Sequence, residues 1–323
     1  MRILPVLCYK RPMRLAAIDV GSNSVLLLVA DVISGTIGTP LDEQVRITRL
    51  GERLAGDRVL PEEAMRRTLA VIADYKERAA RLGAERTLVA ATAAVREAAN
   101  GTEFARRVQE ATGLTLQVLS AQREAELGLL GVCSDPALKD AALLLLDIGG
   151  GSTELTAGGP GGLVGSTSVP VGCVRLRAQA GDARAESDLE RMQRAAAVQL
   201  AAPMRRIARL APGSHLVGIG GTITALGTVD LRLDEQRHRE VDGHVLTAGR
   251  VRQLALEIAQ VLPEERSRIA GLPKGREDTI VPGAAILLAA MQALEQDGLR
   301  VSVRGLRYGL LSVSARPAKP AEA

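Results

Sequence analysis

The sequence predicts an α/β fold with an internal duplication, because one strand-to-turn pattern occurs at two distant places. The segment 143–155 (LLLLDIGGGSTEL) begins with four leucines, which are typical of a strand buried on both faces, and then turns at Asp147. The segment 15–24 (LAAIDVGSNS) has the same order of an apolar strand, Asp19, one residue and a glycine. The second aspartate follows the first by 128 positions, which indicates one such turn in each half of the fold. A third turn, at 216–222 (LVGIGGT), follows another short apolar strand.

These three turns are candidate phosphate-binding loops. Glycine tolerates positive φ and lets a ligand approach the backbone, and successive amide groups in such a turn form a concavity that suits phosphate oxygens. Asp147 and Glu154, seven positions apart, could hold a divalent cation against those phosphates. Any one turn could instead be an ordinary glycine-rich hairpin, but three in one chain favour phosphate binding. The candidate residues are Gly21, Ser22, Asn23, Ser24, Gly149, Gly150, Gly151, Ser152, Thr153, Gly220, Gly221 and Thr222.

The composition is that of a globular protein with room for two cores. The chain has 323 residues, of which 46% are hydrophobic and 24% are charged. Only 1% are aromatic, which argues against proteins that grip sugars or unpaired bases by stacking. The net charge of +4 suits a polyanionic substrate, although a solvated basic surface explains it equally well. We therefore expect no nucleic-acid partner.

The cysteines and the apolar runs indicate a cytoplasmic protein. Cys8, Cys133 and Cys173 form no C-x-x-C pair, which fits a reducing compartment and argues against structural zinc. No apolar run approaches the roughly 20 residues of a membrane helix, so we expect no membrane partner. The opening segment 1–12 lacks a signal-peptide cleavage site, and Met13, directly before the first strand, is an alternative start.

The first half alternates strands and helices. Pro61, two following glutamates and Gly83 predict a helix over 61–83. The other predicted elements are strands at 25–32, 44–50, 86–92 and 115–120 and a helix at 102–113.

Two charged side chains stand just beyond strands of this half. Arg96 follows the strand at 86–92, where its guanidinium could bind a phosphate or be solvated. Glu124 opens a helix, where the helix dipole favours a carboxylate, and it could also serve as a general base on a water. The turn-rich segment 134–140 predicts a domain boundary.

The second half continues with longer helices. We expect Pro203 to kink or divide a helical segment over 186–211. Lys274 and Arg276 lie in a loop where they could contact an anion, but we expect them to be solvated. The segment 315–323 should be disordered. The other predictions are strands at 163–169 and 300–304, loops at 230–242 and 271–278, and helices at 249–262, 282–294 and 305–312.

The sequence resembles the exopolyphosphatase / guanosine pentaphosphate phosphohydrolase (Ppx/GppA) family. The matching segments occur in the family's order from about residue 14 to about residue 314. They are AAIDVGSNS (16–24), ATAAVREAANG (91–101), SAQREAELG (120–128), LLDIGGGSTEL (145–155), GIGGTITAL (218–226), DGHVLT (242–247), GLPKGREDTIVPGA (271–284) and GLRYGLL (305–311).

The resemblance implies a duplicated actin/sugar-kinase/Hsp70-like (ribonuclease H-like) fold with the active site in an interdomain cleft. Domain I would span 13–134, with the C-terminal helix 305–315 packing back on it, and domain II would span 135–304. The residues before 13 and after 315 would be short tails. It also implies a short, two-domain, homodimeric hydrolase that uses Mg²⁺ or Mn²⁺. Its substrate would be inorganic polyphosphate, whose terminal phosphate it releases, or pppGpp.

The resemblance also implies roles for particular residues. The family's catalytic glutamate corresponds to Glu124, its metal and phosphate site to Asp147 with 149–154, and its first phosphate turn to Asp19 with the residues up to Ser24. We therefore expect Asp19, Asp147 and Glu154 to hold the metal, and Arg96 to contact phosphate. Two departures are Ala121 and Arg123, where the family carries glycine and glutamate, and Val25–Leu26, where many members carry Phe-His.

Two other functions remain open at this point. A small-molecule kinase on the same fold would need an acceptor-sugar site, which the scarcity of aromatic residues disfavours. A non-catalytic sensor would bind (p)ppGpp or polyphosphate without releasing phosphate, and the presence of Glu124, Asp147 and Glu154 argues against it.

Overall fold

The computed structural model describes residues 11–52, 54, 58–234 and 237–314, and these form two six-stranded sheets with helices around them. The predictions for Cys8 and for 315–323 lie outside the described residues. The first sheet contains β1 (Met13–Val20), β2 (Ser24–Ile33), β3 (Thr36–Ile37), β4 (Asp42–Ile47), β5 (Arg86–Ala91) and β6 (Leu116–Val118). The second contains β7 (Leu143–Ile148), β8 (Thr153–Gly159), β9 (Gly162–Val169), β10 (His215–Ile219), β11 (Val245–Thr247) and β12 (Gly298–Val301).

The two sheets repeat one topology. In the first, the order is β3-β2-β1-β5-β6, with β4 added beside β2; in the second it is β9-β8-β7-β10-β12-β11. Each begins with an antiparallel three-strand meander and continues with two parallel strands, β5 and β6 in the first sheet and β10 and β12 in the second. Over the described residues, the strands β4 and β11 are antiparallel additions without a counterpart in the other sheet. This is the duplicated α/β fold that the sequence predicts.

The helices follow the strands in chain order. Those of the first half are α1 (Glu62–Arg81), α2 (Ala93–Glu97), α3 (Gly101–Thr112) and α4 (Ala121–Cys133). Those of the second half are α5 (Cys173–Ala180), α6 (Glu186–Ala208), α7 (Gly220–Asp230), α8 (Ala248–Ala259), α9 (Ile280–Ala293) and α10 (Leu306–Ser314), with short 3-10 segments at His238–Val241 and Pro263–Arg268. No helix within the described ranges is both long and apolar enough to cross a membrane.

The four leucines of β7 are buried on both faces, as the sequence predicts. Leu144 and Leu146 join the large core under α6 and α9, whereas Leu143 and Leu145 pack with side chains of α4. Because neighbouring residues of a strand point to opposite faces, a strand covered on both sides needs this continuous apolar run.

Helix α4 packs against both sheets. Leu127 joins the cluster around β1 and β2, and Leu129 joins the cluster around β7 and β10. Helix α10 lies directly against it, because a Cβ atom on Gly309 would come within 1.9 Å of the Leu127 carbonyl oxygen. The chain therefore returns at its last described helix to the first sheet, where Tyr308 packs in the same cluster as Leu15.

Three sequence predictions for the second half were wrong or incomplete. Pro203 does not divide its helix, and α6 runs unbroken through it. The carbonyl that loses its bond to a proline four residues on belongs to the exposed Gln199, so the helix can tolerate the loss at its surface. The pattern also missed α5, which follows Gly172 directly, and α7, whose glycine-rich start resembles a turn. The expected loop at 230–242 contains a 3-10 segment.

Candidate active site

The two Asp-x-Gly turns have the same backbone geometry. The Gly21 amide donates to the Ser24 carbonyl over 3.0 Å, and the Gly149 amide donates to the Ser152 carbonyl over 2.9 Å. The turns also approach each other, because a Cβ atom on Gly150 would lie 4.0 Å from the Cβ of Asn23. The duplication therefore brings both turns to one cleft between the sheets.

Four carboxylates from both halves gather at this cleft. Asp19 ends β1 and Glu124 lies in the first turn of α4, while Asp147 and Glu154 are register partners on β7 and β8. Burial raises the pKa of Asp19 to about 7, and the charge of Glu124 adds to the rise. Burial, then the charges of Glu154, Glu124 and Asp19, raise the pKa of Asp147 to about 8. This mutual repulsion shows that the cleft concentrates negative charge.

Glu124 is held by the arginine that the sequence placed beside the same cleft. The Nη1 of Arg96 donates to Glu124 Oε2 over 2.9 Å and to the Leu119 carbonyl over 2.8 Å. Ser120 caps the start of α4 by accepting from the Arg123 amide, which fixes Glu124 in the first turn. Burial raises the pKa of Glu124, while the bond from Arg96 acts in the opposite direction. Its side chain is 28% exposed, so water can reach it.

Glu154, whose register partner on β7 is Asp147, is hydrogen-bonded from the strand on its other side, β9. The Ser168 hydroxyl donates to Glu154 Oε1 over 2.7 Å. Burial raises the pKa of Glu154, and the hydrogen bonds from Ser152 and Ser168 partly offset that rise. Ser168, on β9, was not among the predicted site residues, since nothing in its local sequence sets it apart.

The third turn opens α7 and lies against Asp147. Gly220 has a φ of +83°, and a Cβ atom there would come within 2.1 Å of Asp147 Oδ1. Gly221 leaves room for Arg276, since a Cβ atom at 221 would lie 1.6 Å from Nη2 of that arginine. Contact therefore requires glycine at both positions, and at Gly220 the backbone conformation requires it as well.

The prediction that Arg276 is solvated was wrong, although Lys274 is exposed as expected. Arg276 is only 8% exposed, and burial lowers its pKa while the charges of Cys173 and Asp147 favour its charged form. A loop rich in turn residues and cations gave no local sign of this burial.

A second arginine reaches the site from α10. Arg307 is 8% exposed, donates to the Leu27 carbonyl over 2.7 Å, and its charge lowers the pKa of Asp19. Sequence reasoning missed it because the contact joins two ends of the chain.

Two predicted phosphate-binding hydroxyls are not on the cleft surface. Thr153 is fully buried, and its hydroxyl donates to the Val171 carbonyl over 2.5 Å. Thr222 is 2% exposed and packs against Gly283 of α9. Neither residue therefore offers its hydroxyl to a ligand in the cleft.

The carboxylates of the cleft provide oxygen ligands of the kind that a divalent cation prefers. Asp19 Oδ1 is buried without a hydrogen-bond partner, which is the state of an oxygen that a cation would satisfy. Across the ranges that the structure describes, however, no three histidine, cysteine, aspartate or glutamate side chains are grouped to hold a metal by themselves. The residues therefore fit an ion bound through one or two carboxylates and completed by phosphate oxygens, which is how Mg²⁺ commonly binds.

Comparison with known proteins decides the family. The model of the Ppx/GppA phosphatase family matches residues 28–316. The chain belongs to the Ppx/GppA phosphatase family. The Ppx/GppA family member from Aquifex aeolicus is 31% identical and has a TM-score of 0.77; the match covers 94% of this chain and 98% of that chain.

A second solved structure is alike in fold. An exopolyphosphatase from Cytophaga hutchinsonii is 24% identical with a TM-score of 0.81, and the match covers 94% of this chain and 98% of that chain. Both solved structures are thus similar in fold to this chain. The site residues stay predictions as to their roles.

Proposed function

We propose that this protein is an exopolyphosphatase that releases the terminal phosphate of inorganic polyphosphate by hydrolysing a phosphoanhydride bond. One observation carries the proposal: Asp19, Glu124, Asp147 and Glu154 gather beside glycine turns at one cleft. Membership of the Ppx/GppA phosphatase family supports the reaction class.

Mg²⁺ or Mn²⁺ would be held by one or two of the carboxylates of Asp19, Asp147 and Glu154, with phosphate oxygens of the substrate completing its coordination. When bound, the ion would offset the negative charge of the phosphates and of the carboxylates. Arg276 and Arg307 add positive charge beside Asp147 and Asp19.

Glu124 is the proposed general base. It would orient a water toward the terminal phosphorus and accept its proton, while the bond from Arg96 holds the carboxylate in place. The backbone amides of the turns would bind the phosphate oxygens, on which charge builds as the anhydride bond breaks. Dimerisation and a cytoplasmic location stay predictions.

A phosphate-release assay tests the proposal. Purified protein is incubated with Mg²⁺ and polyphosphates of graded length, pppGpp or ATP, and a parallel set contains excess EDTA. Phosphate release from polyphosphate that EDTA abolishes supports the proposal. Release only from pppGpp would reassign the substrate, and a phosphorylated acceptor without free phosphate would indicate a kinase. Thermal stabilisation by these ligands without any phosphate release would indicate a sensor.

A further inference from the structure

The loop 271–278 spans the cleft and contacts both halves. Its Glu277 carbonyl accepts from the fully buried Arg266 over 3.0 Å, which anchors it to the second half. Gly275, with a φ of +82°, leaves the space that Ile47 of β4 occupies, since a Cβ atom there would lie 2.8 Å from Ile47 Cδ1. This loop also carries Arg276, which lies against the third turn.

Asp278, at the end of this loop, is paired from both halves. Arg177 of α5 donates to Asp278 Oδ2 over 2.9 Å. Arg49 of the first half lies on the other side, with its Nη2 3.7 Å from Asp278 Oδ1. That Oδ1 is buried and has no hydrogen-bond partner, so a small narrowing of the cleft would turn this ion pair into a charge-assisted hydrogen bond.

Each of these arginines is connected to a phosphate turn. The Arg49 amide donates to the Asn23 carbonyl in the first turn over 2.9 Å, and Arg49 has a left-handed φ of 51°. The helix of Arg177 begins on the second turn, where the Cys173 amide donates to the Gly149 carbonyl over 3.0 Å. Asp278 is therefore paired with one arginine connected to the first turn and one connected to the second, and its own loop carries Arg276, which contacts the third turn.

We propose that Asp278 is a positioning residue that joins the two halves across the cleft and fixes the phosphate turns relative to one another. It does not touch the reacting atoms; it acts through Arg49, Arg177 and the adjacent Arg276. The part of this inference that concerns turnover rests on the proposed phosphoanhydride hydrolysis.

The first test compares Asp278→Asn, Arg49→Gln and the double variant on polyphosphate. Asp278→Asn keeps the shape of the side chain and removes its charge, and we expect kcat/KM to fall roughly 10-fold to 100-fold, as when catalytic groups are displaced. The kcat/KM of the double variant should be no lower than that of the poorer single variant, since the two single substitutions remove the same contact between Asp278 and Arg49. If the losses in kcat/KM of the two single variants multiply in the double variant, the proposal is overturned, because Arg49 then acts independently of Asp278.

Asp230→Asn is the matched control. Asp230 is 14% exposed against 21% for Asp278 and is likewise bonded by an arginine, Arg250, over 2.6 Å, but that pair lies within the second half. We expect its kcat/KM to stay close to that of the wild type. An Asp278→Asn variant as active as this control would also overturn the proposal.

The second test needs no turnover. Amide hydrogen exchange is measured on the ligand-free full chain for the same variants. We expect Asp278→Asn and Arg49→Gln to speed exchange in 271–278 and in 47–51 together, and Asp230→Asn to leave both segments unchanged. Unchanged exchange in Asp278→Asn and Arg49→Gln would refute the link between the halves. A wild type that releases no phosphate but shows the coupled exchange would refute only the proposed function.

Discussion

Arg96 donates from Nη1 to Oε2 of Glu124 at 2.9 Å, which places the predicted phosphate-binding arginine on the predicted base. The two residues come from α2 and α4, so the pair exists only in the folded chain. The arginine can therefore orient the carboxylate and still present its 26% exposed side chain to a phosphate.

Replacing Arg96 with glutamine should lower activity and move its pH dependence. Burial raises the pKa of Glu124 and Arg96 lowers it, so without the arginine the carboxylate takes up its proton at higher pH. A general base works only when deprotonated, and the acidic limb of the kcat/KM profile should therefore shift upward. The charge of Glu97 also raises the pKa of Glu124, and the charge of Glu124 in turn raises the pKa values of Asp19, Asp147 and Glu154.

A kcat/KM profile between pH 5 and pH 9 at saturating Mg²⁺ measures the shift. Arg123→Gln is the control, since Arg123 pairs with the neighbouring Glu126 instead. An acidic limb that stays in place in Arg96→Gln would contradict this role of Arg96.

Replacing Glu124 with glutamine should slow turnover by roughly 10²-fold to 10⁴-fold with little change in substrate affinity. Glutamine keeps the size of the side chain but cannot accept the proton of the water. Steady-state kinetics on polyphosphate measure kcat and KM separately. Glu126→Gln, two residues on in the same helix, should remain active, and equal rates for the two variants would remove Glu124 from the role.

Replacing Gly220 with alanine should disable the site. The new methyl group would lie 2.1 Å from Asp147 Oδ1, and the backbone would have to keep a φ of +83°. The left-handed conformation costs a non-glycine residue about 1–2 kcal/mol. The clash should also displace Asp147.

Thermal unfolding and phosphate release together check this expectation. Gly249→Ala is the control, because nothing lies within 4 Å of a Cβ atom at that position. A Gly220→Ala variant with wild-type activity would show that the position of Asp147 is unimportant.

Replacing Arg239 with glutamine should destabilise the protein more than any nearby surface change. Its Nε lies 2.6 Å from Oε2 of Glu43, whose side chain is 2% exposed and also accepts from the Tyr308 hydroxyl over 3.0 Å. Losing one partner of a buried ion pair costs about 3–5 kcal/mol, and since Arg239 is 35% exposed we expect roughly 2 kcal/mol after screening.

Urea unfolding measures this difference in free energy. Arg237→Gln is the matched control, because the pair of Arg237 with Glu240 is exposed on both sides and should contribute little. Similar losses of unfolding free energy for both variants would mean that Glu43 does not depend on Arg239, since Arg307 also lies beside it, with its Nη1 3.7 Å from Glu43 Oε1.

Local sequence was sufficient for the features that depend on local geometry. Both Asp-x-Gly turns, the buried β7 strand and the capped α4 helix follow from short patterns of leucine, glycine and polar residues. Arg276 could not be placed in this way, because its burial depends on space left by Gly221, which is distant in sequence.

Side-chain direction was the other unpredictable property. Thr153 was a reasonable phosphate ligand by type and spacing, but its hydroxyl is used by the Val171 carbonyl. Pro203 was a reasonable helix breaker, but α6 continues through it. In each case a tertiary contact or a solvent-facing carbonyl, rather than the local pattern, sets the outcome.

The return of α10 to the first sheet has a consequence for biosynthesis. Leu15 and Leu28 share a cluster with Leu306 and Leu311, so part of their apolar cover is synthesised only after the second half of the fold. At roughly 5–20 residues per second, a ribosome needs about 15 to 60 s between the first and the last of these leucines. During that interval this face of the first sheet lacks the part of its cover that α10 supplies, although Leu127 of α4 already packs there, and the exposed part is open to a chaperone that holds unfolded chains.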